Sequence, residues 1–161
     1  MPAFLRGGDL SPPLAVVLAA AGSFAGLSTL MPYRSTASGI VTATLNAGAL
    51  TMDLGDAAAA GDVNATVNAG SFALALPVGS RSVNGSINAG SLKVCVPTGA
   101  ALRVQWSGAL GSNNFDEAGL DKIDDNTWTS PGTNVLEPFI DMEVSANAGS
   151  FELQFGGPCN A

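Results

Sequence analysis

Residues 66–77 read TVNAGSFALALP and residues 86–97 read SINAGSLKVCVP: one phrase, written twice at an interval of twenty residues. Each copy opens on an Asn-Ala-Gly-Ser step. Strict alternation follows, with Phe72, Leu74 and Leu76 against Ala73 and Ala75, then Leu92, Val94 and Val96 against Lys93 and Cys95. Period-two patterning with one apolar set predicts a strand with one buried face. A single strand of that kind cannot bury its face, but stacked copies can. The phrase therefore reads as a scaffold unit.

Further copies lie at Asn46-Ala47-Gly48-Ala49 and Asn147-Ala148-Gly149-Ser150, with a degenerate one at Gly108-Ala109-Leu110-Gly111-Ser112. Gly48, Gly70, Gly90 and Gly111 are spaced by 22, 20 and 21 residues, and Gly149 follows 38 later, close to two more periods. A period near twenty signals a stacked repeat. The predicted fold is all-β: a single-stranded, β-solenoid-like stack of about six short rungs over residues 40–157. Asn46, Gly48, Asn68, Gly70, Asn88, Gly90, Gly111, Asn147 and Gly149 are read as its turns. Asn and Gly tolerate positive φ, and stacked asparagines can form a hydrogen-bonded ladder.

Composition narrows the function classes. The 161 residues are 47% hydrophobic, 6% aromatic and 12% charged, which suits tightly stacked β structure with many turns rather than a disordered acidic chain. From residue 40 onward, twelve carboxylates face four cations (Arg81, Lys93, Arg103 and Lys122), a balance that repels nucleic acid. There is no histidine, so the commonest general base and metal ligand is missing. No phosphate-binding, dinucleotide or nucleophile-elbow motif appears, and no cofactor is expected.

Residues 12–33 read PPLAVVLAAAGSFAGLSTLMPY, without a charge. An apolar run of this length predicts a membrane-spanning helix, here a signal anchor, following an N-terminal tail over 1–11 and preceding a linker over 34–39. Its small residues suit packing against other helices as well as lipid. A signal peptide cleaved near Ser35-Thr36-Ala37 and a buried soluble helix are the competing readings. The β domain is expected outside the cytoplasm, at the periplasmic or cell-surface side.

The run NAGSLKVCVPTGAALRVQWSGALGSNNF, closed by IDMEVSANAGSFELQF, resembles the C-terminal stacked-β domain of LiaF-type envelope-stress proteins, the toastrack or adhesin-like domain. The positions that carry the resemblance are Gly90, Ser91, Pro97, Gly99, residues 102–104, residues 108–112 and residues 149–155. It implies binding or scaffolding outside the membrane without catalytic residues. The chain departs from that family in having one short span ahead of the domain.

The densest charge, Asp116, Glu117, Asp121, Asp124 and Asp125, falls between rungs and reads as a solvated loop, since calcium-loop spacing is absent. Trp106 alternates with Leu102 and Val104 and is expected in the core. Trp128, with Phe115, is expected either to cap an open end of the stack or to form an interface. Cys95 falls on the outward set. A disulfide to Cys159 in the tail over 158–161 is one reading, and free thiols are the other. The leading functional expectation is a non-enzymatic, membrane-anchored accessory subunit of a larger membrane complex, respiratory or photosynthetic, held through the 12–33 helix and membrane lipid. An envelope-stress or adhesin-type binding module and a self-assembling fibre subunit are the alternatives.

Overall fold

The computed structural model describes residues 16–20, 29–32, 40–54, 61–77, 82–132 and 139–159. Its strands, in chain order, are β1 (Val16–Ala20), β2 (Thr29–Pro32), β3 (Val41–Leu45), β4 (Ala49–Asp53), β5 (Asp62–Val67), β6 (Ser71–Ala75), β7 (Ser82–Val96), β8 (Leu102–Asn113), β9 (Asp121–Asp124), β10 (Thr127–Thr129) and β11 (Ile140–Phe155). Each copy of the repeated phrase marks a bend between two arms. β3 and β4 flank one bend and β5 and β6 the next, while β7, β8 and β11 run through theirs unbroken.

On the first arm the strands lie in the order β1-β3-β5-β7-β11-β8-β10-β9. On the second arm β2, β4, β6 and β7 follow one another, and the far half of β11 continues the series. Pairing is parallel and in register throughout, except that β10 runs antiparallel to both β8 and β9. Register places like on like: Asn64 meets Asn84, Phe72 meets Leu92, and Gly90 meets Gly149. The inward sets of both arms merge into one core, including Leu45, Val67, Phe72, Leu74, Leu92, Val94, Met142 and Phe151.

A simple solenoid would stack its rungs in chain order. Instead β11, last in the chain, lies between β7 and β8. The corners explain why. Asn68 Nδ2 donates to Asn46 Oδ1 at 2.7 Å, Asn88 to Asn68 at 2.7 Å, and Asn147 to Asn88 at 2.9 Å. The intact corner of β11 extends this ladder, whereas β8 presents Ala109 opposite Asn147, so the degenerate copy takes the outer position. Gly111 accordingly lacks the positive φ found at Gly48, Gly70, Gly90 and Gly149.

Of the anchor helix expected over residues 12–33, only two short pieces fall among the described residues. The pieces of that span which the structure describes, Val16–Ala20 and Thr29–Pro32, are strands paired in parallel with β3 and β4. The β-branched Val16, Val17 and Thr29 serve a strand as readily as an apolar helix. The rest of the expected helix lies outside the described residues. Among the described residues, no helix is long and apolar enough to cross a membrane.

The segment expected as a solvated loop is partly a lid. After β8 the chain turns through residues 114–120 and returns as the β9–β10 hairpin, with β10 laid against β8. Where β8 ceases to pair with β11, the side chain of Asn114 substitutes for backbone. Its Nδ2 donates to the Leu153 carbonyl at 3.0 Å, and its Oδ1 accepts from the Leu153 N–H at 2.7 Å. Asn114→Ala would leave both groups of Leu153 without these partners, and we expect a loss of about 2–3 kcal/mol in urea denaturation. Asn114→Asp, which keeps only the acceptor, should fall between the two.

Candidate functional site

The corners are structural. An added Cβ at Gly70 would lie 1.9 Å from the Gly48 carbonyl oxygen, and one at Gly90 would lie 2.1 Å from that of Gly70. The N–H groups of Ser71 and Ser91 donate to those same carbonyls at 2.9 and 2.8 Å. The asparagine amides are used on one another. Nothing in this arrangement leaves a row of glycines or amides for a ligand.

Phe115 and Trp128 are brought together, but inside. Phe115 is fully buried and Trp128 is 6% exposed, with ring centroids 4.9 Å apart. Phe115 also meets Phe151 at 5.5 Å and the edge of Trp106 at 6.0 Å. The indole Nε1 of Trp128 donates to Asp116 Oδ1 at 3.1 Å, and Lys122 Nζ stands 5.3 Å from its ring centroid. These rings close the end of the stack beneath the hairpin, and their burial removes them as a surface for a partner.

Cys95 and Cys159 form a disulfide across a separation of 64 residues. Alternation alone puts Cys95 on the outer side, yet it is only 4% exposed. The chain turns at Gly156, whose N–H donates to the Val96 carbonyl at 2.8 Å, and carries Cys159 back to Cys95. The bond ties the tail to the second arm. Beside it, Lys93 and Glu152 pair at 3.1 Å on neighbouring strands.

The surface that remains is the outer face of the first arm. Register aligns Thr42, Asn64, Asn84, Glu143, Gln105 and Thr127 in one row. Beside it runs a row of hydroxyls, Thr44, Thr66, Ser86, Ser145 and Ser107. A third row carries Asp62, Ser82, Asp141, Arg103 and Thr129. None of these side chains is buried. Neighbours along each row are about 4.8 Å apart, the spacing of paired strands. Asn84 Nδ2 donates to Asn64 Oδ1 at 3.1 Å, fixing both amide planes.

Two depressions mark this face. A shallow groove of about 270 Å³ runs over Asn64, Thr66, Asn84, Ser86, Glu143 and Ser145. At the hairpin end, a cleft of about 340 Å³ is lined by Arg103, Gln105, Ile123, Asp124, Thr127 and Phe139, among others. Arg103 is held by a two-point bond to Asp141, Nε to Oδ1 at 3.2 Å and Nη2 to Oδ2 at 2.9 Å, and its guanidinium lies 5.3 Å from the Phe139 ring centroid. Asp124 sits below its ordinary value of 3.8, first because the Asn126 N–H donates to it and second because of a hydrogen bond with Thr127. It therefore enters the cleft as a carboxylate at neutral pH. Ile123, at the edge of this cleft, is 64% exposed. Among the described residues, no group of three or more acidic or cysteine side chains is placed to hold a metal.

Sequence reasoning missed this face. The only signal is that the outward positions of successive repeats carry Thr, Asn and Ser in the same place, and a polar outer set is what any half-buried strand shows.

The fold and the face define an all-β chain built on a parallel, cornered ladder, with one polar face exposed and no catalytic grouping evident among the described residues. It is similar to a crystal structure of a "putative cell adhesion protein" from Clostridium sporogenes ATCC 15579, with a TM-score of 0.59 and 15% sequence identity. The match covers 73% of this chain and 56% of the other, so this chain spans about half the length of that protein. At that identity the likeness is one of fold. No family model and no curated protein matches the chain.

Proposed function

We propose that the chain is a non-enzymatic binding module displayed outside the cytoplasm, a short β-solenoid-like stack that presents the outer face of its first arm to a ligand. The observation that carries this reading is the face itself: three in-register polar rows, unburied across five strands and the hairpin, ending in a cleft. Parallel in-register pairing fixes side-chain spacing, so the polar groups are held in place before a ligand arrives, which lowers the ordering cost of binding. The disulfide supports the location, because such bonds persist in oxidising compartments. The similar fold of a protein described as a cell adhesion protein favours this reading over the accessory-subunit one.

The test is display and adherence. On intact cells that make the protein, added protease and a membrane-impermeant amine label should reach the chain, its thiols should resist alkylation, and cells lacking it should adhere less to their growth surface. A chain recovered from the cytosol with two free thiols, or unchanged adherence in its absence, would overturn the proposal.

A further inference from the structure

We infer that the ligand of this face is an extended, uncharged polysaccharide lying across the strands, with one sugar ring seated in the cleft between Ile123 and Phe139. The inference rests on the binding-module reading and names its ligand class.

Three features lead to it. The first is chemical. The middle row and the hydroxyl row hold seven hydroxyls (Thr42, Thr127, Thr44, Thr66, Ser86, Ser145 and Ser107) and three amides (Asn64, Asn84 and Gln105). Both group types donate and accept, and they meet sugar hydroxyls on equal terms. They recur at the strand spacing, comparable to the length of one pyranose unit, so a chain laid along the ladder meets about one strand per sugar. Repetition of weak contacts along a repeating polymer raises the effective affinity of the whole.

The second feature is charge. Glu143 stands in the middle row, and Asp62 and Asp141 in the row beside it. Among the described residues of the face, Arg103 is already paired with Asp141. With a formal net charge of −7, the chain repels acidic polymers, nucleic acid included.

The third feature separates a glycan from a peptide. A bound peptide strand uses the free edge of a sheet, or else apolar pockets at alternate positions. The groove and rows here lie on the face of the strands and are polar along their length. In the cleft, Ile123 and Phe139 share the lining with Gln105, Thr127, Thr129 and Asp124. An apolar wall against a rim of hydroxyl, amide and carboxylate suits a pyranose, which has an apolar C–H face and a hydroxylated edge. The cleft volume lies at the lower end of the range for small-ligand sites, about 300–1,000 Å³.

The test is calorimetric titration of the oxidised full chain with neutral hexasaccharides of β-1,4-glucose, β-1,4-N-acetylglucosamine and α-mannose, and with a galacturonate hexasaccharide as the acidic probe. We expect at least one neutral oligosaccharide to bind and the acidic one not to. Gln105→Ala and Ile123→Ser should each weaken binding about tenfold or more with unchanged circular dichroism, since both side chains are exposed. The Thr66→Val, Ser86→Ala double variant should weaken the hexasaccharide and leave the matching disaccharide unaffected, because only the longer chain reaches the groove. Absence of binding to every neutral probe would overturn the inference, as would full affinity in both cleft variants. If adherence depends on the chain while no neutral glycan binds, the polysaccharide fails and the binding-module reading survives. If adherence also proves independent of the chain, both fall.

Discussion

Gly90→Ala is expected to destabilise the protein by about 3–5 kcal/mol, measured as the shift in urea unfolding. Two costs combine. Gly90 has φ +134°, a region that side-chain-bearing residues rarely adopt, and its new Cβ would lie 2.1 Å from the Gly70 carbonyl oxygen. That oxygen is fixed, because it accepts the Ser91 N–H. Relief would require opening the ladder between β6 and β7 at the centre of the stack. Gly119→Ala isolates the backbone part. Gly119 also has positive φ, at +84°, but a Cβ there meets nothing within 4 Å. It should cost only about 1–2 kcal/mol. Equal losses at the two positions would show that the corners are not in close contact along the stack.

Reduction of the disulfide, or Cys159→Ser, should cost about 4 kcal/mol, the entropic value for closing a loop of this size. The loop of 64 residues includes β8, the hairpin and β11. Opening it frees the inserted strand and its lid together. The expected sign is a lower urea midpoint in reductant for the native chain and no effect of reductant on Cys159→Ser. A midpoint insensitive to reductant would mean that the tail is not tied to the second arm in solution.

Much of the scaffold is legible in the sequence because stacking imposes a period. Glycine at 70, 90 and 149 has to recur because a carbonyl of the neighbouring corner comes too close for a Cβ. The inward sets after each corner have to be apolar because the two arms share one core. The order of the strands is less legible. The 38 residues from Gly111 to Gly149 fit two periods, which suggests a further rung beyond β8. The period says nothing of direction, and it is the asparagine ladder that selects β11 as the neighbour of β7. Trp106 belongs to the same story. An added Cβ at Gly108 would strike its indole at 2.6 Å, so the degenerate corner of β8 is shaped around that ring.

The apolar stretch over 12–33 admits two readings. Length and lack of charge fit a membrane helix, but Val, Ala, Thr and Ser also fit a strand, and pairing with β3 and β4 is a tertiary fact that composition cannot carry. The outer face was invisible for a related reason. Thr44, Thr66 and Ser86 recur at one position, but β8 and β11 contribute Ser107 and Ser145 to the same row only because of the inserted order. Cys95 was assigned outward correctly by parity and yet is covered, because parity cannot foresee the tail that returns to it.

The insertion of β11 underlies the core, the lid and the polar outer face alike. An isotope-edited nuclear Overhauser spectrum tests it directly at Val144, which lies opposite Gly85 on one side and Trp106 on the other. The predicted result is cross-peaks from the Val144 methyls to both the Gly85 backbone and the Trp106 indole, with none linking Gly85 to Trp106. Cross-peaks joining Gly85 directly to Trp106, with Val144 absent from one of them, would mean that the rungs stack in chain order and would contradict the account.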